Sequence, residues 1–307
     1  MIDDEKDEIA RRVANIMTRR IIYILLALLA VITITLLSLI LFANYKKYEQ
    51  RKSWDYYLYG RRDYLEGNYD EAVEYLSKVI KVEPDFADAY FIRGQSYYEM
   101  EEYKKAVADY TKCIKHDPSY EEAYFWRGWA YHDLEDYKKA IPDFTKYIDY
   151  NPDSDRAYFW RASCYEEIGD LKSALSDYNK SIELDPDHTA YYLHRGIFYY
   201  FYREIYGLDG ALSDFNKFVA SNPEDDDGYR WRGSCYERLE EYEKALQDYN
   251  RAIELNPKDG DNYYDRGMFY LNIVKFYSRE KAKEDFKKAC RLGDEDACKF
   301  YEEYFGN

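Results

Sequence analysis

The pentapeptide YFWRG at residues 124–128 returns as YFWRA at 158–162, 34 positions later. Such a return is either a structural period or a pair of matched loops, and the rest of the chain decides between them. Tyr56, Tyr90, Tyr124, Tyr158, Tyr192, Tyr229 and Tyr263 each stand four residues before a small residue, at Gly60, Gly94, Gly128, Ala162, Gly196, Gly233 and Gly267. An alanine follows each time, at Ala72, Ala106, Ala140, Ala174, Ala211, Ala245 and Ala282, and Pro84, Pro118, Pro152, Pro186, Pro223 and Pro257 close the intervals. A fixed period of this kind marks a solenoid, in which one repeat cannot bury its own apolar face and stacking supplies the core. Matched catalytic loops are rejected.

The repeats do not reach the N-terminus. Residues 21–43 read IIYILLALLAVITITLLSLILFA and carry no charge. A helix of that length reaches ~34 Å at ~1.5 Å per residue, enough to cross a hydrocarbon core of ~30 Å. Thr33, Thr35 and Ser38 are tolerable there because a hydroxyl can bond back to its own helix. A cleaved signal peptide fits poorly, since the apolar run is long and LFANYKK lacks a small-x-small cleavage site. The expected layout is a tail at 1–20, a membrane helix at 21–43, a linker at 44–52, seven repeats at 53–296 and a capping helix end at 297–307. Basic residues flank both ends of the apolar run, so charge sets no orientation. No GxxxG occurs within it, so pairing through the span has no sequence support.

The spacing of aromatic, small residue, Tyr, Ala, aromatic and Pro resembles the tetratricopeptide repeat (TPR), a helix–turn–helix motif, over seven repeats at 53–86, 87–120, 121–154, 155–188, 189–225, 226–259 and 260–296. The resemblance implies an all-α, right-handed superhelical solenoid with helices A and B in each repeat. Small residues let the two axes approach, and proline stops helix B because it lacks the next donor. Three extra residues near YFYREIYGL and NIVKFYSRE are expected to lengthen helix A by about one turn. Pro142 falls early in a helix B, and DEDACKFYEEYF reads as the cap.

An arginine precedes the small residue in six repeats, at Arg93, Arg127, Arg161, Arg195, Arg232 and Arg266, and an aspartate recurs on helix B at Asp109, Asp143, Asp177, Asp214, Asp248 and Asp285. The first repeat lacks both, with Tyr59 and Tyr75 in their places. Pairing within each repeat leaves nothing stranded, whereas pairing with the preceding repeat would strand Arg93. Structural ion pairs are therefore expected, in preference to an anion-binding ladder.

By the resemblance, helix A lines a concave groove. Its fifth, sixth and ninth positions hold Tyr57, Phe91, Phe125, Trp126, Trp129, Phe159, Trp160, Trp231 and Tyr264, with Arg230 on an acid-leaning rim. Trp and Tyr are frequent hot-spot residues, which makes this stripe the candidate partner surface, although packing against the neighbouring repeat is the alternative and is the expectation for Phe91, Phe125 and Phe159. The family's clamp for chaperone tails needs Lys and Asn at groove positions, and this chain offers Tyr57 with Arg61 and Phe91 with Gln95. An extended peptide with apolar and basic side chains suits the groove better.

Cys113, Cys164 and Cys235 take helix-packing positions and read as inert thiols. Cys290 and Cys298, in KACRLGDEDAC, resemble the pair in cysteine-rich two-helix repeats related to TPRs, where it is disulfide-bonded. Two unpaired thiols at the last helix contact are the alternative. The four histidines show no metal-ligand spacing, and no phosphate, dinucleotide, hydrolase or zinc-protease motif occurs. A net charge of −16 argues against nucleic acid. The reading is a single-pass membrane adaptor, not an enzyme, with a protein or peptide partner, a lipid bilayer around its anchor, and no metal, cofactor or nucleic acid. Its repeats are expected outside the cytoplasm. Alternatives are an envelope co-chaperone holding unfolded clients and a regulatory subunit of a membrane enzyme.

Overall fold

Neither glycine nor proline occurs before Gly60, so nothing in the backbone forces a break there. In the computed structural model, which describes residues 2–273 and 276–306, that stretch is one helix, α1 (Ile2–Leu65). The expected linker at 44–52 is a continuation of the helix, because NYKKYEQRK contains no helix breaker. Every side chain from Ile21 to Ala43 is exposed, and α1 is long and apolar enough to cross a membrane. Its hydroxyls are satisfied internally: Thr33 donates to the Ala30 carbonyl at 2.9 Å, Thr35 to Ile32 at 2.8 Å and Ser38 to Thr35 at 2.8 Å.

The chain divides into two compact units, residues 1–130 and 131–307. The first holds α1, α2 (Tyr69–Val82), α3 (Ala87–Glu99), α4 (Tyr103–His116) and most of α5 (Glu121–Asp133). Helices α1 and α2 pack as a pair, α3 and α4 as another, and α2 lies against α3. The second unit runs through α6 (Tyr137–Tyr150), α7 (Asp155–Glu167), α8 (Leu171–Leu184), α9 (Thr189–Phe201), α10 (Arg203–Tyr206), α11 (Asp209–Ser221), α12 (Asp226–Arg238) and α13 (Tyr242–Leu255). It ends with α14 (Gly260–Asn272), α15 (Arg279–Arg291) and α16 (Glu295–Phe305). Its pairs are α7–α8, α9–α11, α12–α13 and α14–α15, each packed on the next, with α16 against α15.

Small residues permit the close pairing. A Cβ placed on Gly94 would stand 2.8 Å from the Tyr110 ring, and one on Gly196 would stand 2.6 Å from Phe215. Tyr110 and Phe215 are fully buried, so neither can yield without opening the core. The turns between pairs are tied by tyrosines: Tyr90 donates to the Pro84 carbonyl at 3.2 Å, Tyr192 to Pro186 at 3.2 Å and Tyr263 to Pro257 at 3.3 Å. Helix starts take side-chain caps at Ser154, Asp170, Asp225, Asp259, Ser278 and Asp294.

The insertions do not lengthen helix A. Helix α9 ends at Phe201, and the extra residues form the separate turn α10, closed by Gly207 at φ 76°. The break falls at Tyr202, whose φ of −99° and ψ of 28° leave the helical range, and Tyr206 packs back on Phe198 at 5.6 Å, so the insertion folds beside α9 rather than along it. Helix α14 likewise ends at Asn272, and Val274 and Lys275 of its insertion lie outside the described residues. At the C-terminus Phe300 stacks on Phe286 with ring centroids 4.5 Å apart, and Cys290 and Cys298 are joined in a disulfide. The thiols of Cys113, Cys164 and Cys235 are buried, and burial pushes each pKa up to about 12.

Candidate functional site

From the second repeat on, each A helix presents one edge to a charge lattice and one face to solvent. On the edge, Arg93 Nε and Nη2 grip Asp109 at 2.6 and 2.7 Å. The same two-point contact joins Arg161 to Asp177, Arg195 to Asp214, Arg232 to Asp248 and Arg266 to Asp285, at 2.6–3.0 Å. Arg127 lies on α5, and Asp143 is buried on α6. The third nitrogen, Nη1, reaches an acceptor sixteen residues earlier: Ser77 from Arg93, Thr111 from Arg127, Thr145 from Arg161, Asn179 from Arg195, Asn216 from Arg232 and Asn250 from Arg266.

Tyrosines at i−3 and i+4 flank the arginines. Arg161 lies 5.4 Å from the Tyr158 ring and 5.9 Å from Tyr165, and Arg232 lies 5.4 Å from Tyr229 and 5.9 Å from Tyr236. These distances are within cation–π range. Burial alone would lower the Arg161 pKa, but the hydrogen bond and charge of Asp177 reverse this and raise it. With three hydrogen bonds to two partners and two flanking rings, such an arginine has little capacity left for a ligand. The motif Y-x-x-R-[G/A]-x-x-Y, together with a Ser, Thr or Asn sixteen residues before each arginine, carried this signal in the sequence.

On the face of the first unit, Tyr57, Phe91 and Phe125 are buried, while Trp126 and Trp129 are half-buried. The two indoles stack 5.3 Å apart at 17°, with Tyr98 against them at 5.7 and 6.1 Å. Phe91 packs on Tyr120 at 4.8 Å. Asp88 accepts hydrogen bonds from the hydroxyls of Tyr57 and, at 2.6 Å, Tyr120. Burial first, and then Asp88, pushes the Tyr57 pKa up to about 12.

In the second unit Phe159 is buried under Tyr191 at 4.9 Å, and half-buried Trp160 meets His132 edge-on at 5.1 Å. Trp231 lies among Tyr200, Phe201 and Phe215, and Tyr264 meets Phe286 at 5.5 Å. Arg230 does not stand free on a rim. It bonds Asp227 at 2.6 Å and lies 3.5 Å from Asp265 and 3.9 Å from Asp261. Burial drives the Asp265 pKa up to about 6, against the pull of Arg230. Glu166 and Glu237, also on this face, accept from Tyr178 and Tyr249 at 2.8 and 2.9 Å. Burial raises both carboxyl pKa values. Among the described residues no cluster of metal-ligating side chains occurs.

The tetratricopeptide-repeat model matches residues 87–120 and 227–259. Further models of TPR repeats match 60–101, 133–189 and 109–141, so that together just over half of the chain is covered. No curated protein matches it. Among solved structures, a tetratricopeptide repeat protein from Parabacteroides merdae aligns at 20% identity and TM-score 0.64, over 82% of this chain and 98% of that one. The C-terminal part of a TPR protein from Cytophaga hutchinsonii aligns at 19% and 0.64, over 79% and 98%. YrrB, described as a TPR protein with an unusual peptide-binding site, aligns at 25% and 0.51, over 59% and 92%.

Proposed function

Because the chain belongs to the tetratricopeptide-repeat family, we propose that it is a membrane-anchored adaptor that holds a peptide segment or partner domain on the helix-A faces of its repeats. The observation that carries this reading is the Trp126–Trp129 stack. Two adjacent indoles stay half-exposed although the buried rings of the same face show that the fold can cover aromatics. Rigid aromatic anchors bind at small entropic cost, which is why they dominate interface energies. Trp160 and Trp231 supply comparable half-buried surface in the second unit. The likeness to YrrB, a protein described by its peptide-binding site, supports a peptide as the partner class. The arginine lattice and Arg230 serve the scaffold on this reading, and binding asks for no catalysis or cofactor.

The anchor is the 21–43 segment of α1, whose apolar side chains find no cover within the chain. We place the repeats on the outer side of the membrane, because a disulfide such as Cys290–Cys298 persists in oxidising compartments. Protease protection in sealed vesicles tests the side, and protection matching a cytoplasmic marker would reverse it.

Tryptophan emission of the full chain, titrated with a pool of short peptides of mixed sequence, tests the binding. A saturable change that weakens at least tenfold in Trp126→Ala or Trp160→Ala is the expected result. Tight binding to unfolded protein without a short-peptide response marks a client-holding chaperone, and no response to either marks a subunit that docks by another surface.

A further inference from the structure

In the first unit a cavity of about 290 Å³ opens on the helix-A face. Its walls include the rings of Tyr57, Tyr64, Phe91 and Tyr120, and its one carboxylate is Asp88. Each Asp88 oxygen accepts one tyrosine hydroxyl, Oδ2 from Tyr57 and Oδ1 from Tyr120 at 2.6 Å. Burial and Asp88 raise the pKa of both phenols, so they act as neutral donors. They orient the carboxylate without cancelling its charge, and each oxygen keeps a lone pair. Among the described residues no Lys or Arg forms an ion pair with Asp88. Arg61 stands at the rim, near the Tyr57 hydroxyl, and its side chain is exposed to solvent.

An oriented, half-buried carboxylate among aromatic faces is the complement of an organic cation. We propose that this cavity receives the ammonium group of a lysine side chain from a bound peptide, with Asp88 as its counter-charge and the four rings as its walls. The proposal rests on the reading that the helix-A face binds peptides. The charge of Arg61 opposes the cation only weakly, because it is exposed and screened by water and salt. Arg61 and Gln95, at the same mouth, can donate to carbonyls of the peptide backbone. The acidic balance of the chain draws a basic peptide in the same direction.

The test is calorimetric titration of the full chain in lipid nanodiscs with three peptides, acetyl-Phe-Ala-X-Ala-Phe-amide, where X is lysine, norleucine or glutamate. The expected result is that the lysine peptide binds at least about tenfold more tightly than the norleucine peptide. The preference should vanish in Asp88→Asn. It should also vanish in Gln95→Trp, which fills the mouth and leaves the carboxylate and both hydroxyl bonds in place, so a folding defect in the first variant does not decide the matter. Equal affinities for lysine and norleucine, a preference for glutamate, or a lysine preference that survives both substitutions overturns the proposal and leaves the helix-A reading standing. No binding by any of the three overturns that reading and the pocket with it.

Discussion

At Arg161 the sequence and the geometry meet most closely. Its carboxylate partner, its Thr145 acceptor and its two tyrosines all recur at the repeat period, and its side chain is 15% exposed. Removing the guanidinium would leave Asp177 buried without its counter-charge. Arg161→Ala should therefore cost ~3 kcal/mol, and Asp177→Ala in the same chain should cost much less than its share alone, giving a coupling of more than ~1 kcal/mol in a double-mutant cycle read by urea unfolding. Strict additivity would count against a shared contact. The first repeat has two rings here instead of an ion pair, Tyr59 and Tyr75 with centroids 5.6 Å apart. Arg230 shows the limit of periodic reasoning. The spacing marked it as rim, but its partners Asp261 and Asp265 come from α14, and only the packing of α12 on α14 brings them together. Because the folded-state pKa of Asp265 lies above its unfolded value near ~4, the folded protein holds this proton more tightly. Its contribution to stability is present at low pH and is lost as pH rises through about 6. Relative to wild type, Asp265→Asn should gain ~1–2 kcal/mol between pH 4 and pH 7 after allowance for screening, and a flat difference would refute the shift.

At the scale of elements, helix existence was legible and helix junctions were not. Alanine, glycine and proline at fixed spacing marked each pair because each acts locally, by size or by a missing donor. The three-residue insertion had no such local rule. Helix A could have grown by a turn, yet Gly207 closes a separate turn instead. The A–B turn itself carries a strain visible only in dihedral angles. Gly67 and Gly169 take the left-handed conformation there without cost, whereas Glu101, Glu135 and Glu240 hold φ near +60° with a side chain attached. Such a residue costs ~1 kcal/mol. Gly169→Ala should lower the melting temperature, and Glu240→Gly should leave it unchanged or raise it slightly. Calorimetry checks both, and a large loss in Glu240→Gly would mean that the turn depends on the glutamate side chain.

For the molecule as a whole, the period identified the family and the apolar run identified a candidate span, but neither spoke to their junction. The helix through residues 44–52 makes the candidate span and the first repeat one element, α1, so the direction of the apolar segment passes directly into that repeat. The proposed site was legible as a stripe of aromatic letters. Burial then divided it, with Tyr57, Phe91, Phe125 and Phe159 in the core and Trp126, Trp129, Trp160 and Trp231 half-open. The role of Asp88 was not legible, because its tyrosine donors lie 31 and 32 residues away. The central claim, that the half-open tryptophan faces hold the partner, is tested most directly by photo-crosslinking in native membranes. Benzoylphenylalanine placed at Trp126 or Trp160, or at the exposed Lys112 or Lys172 on the B helices, reports contact at each surface. Specific adducts are expected at 126 and 160 and none at 112 or 172; adducts confined to the B-helix positions would put the partner on the other face and refute the helix-A site.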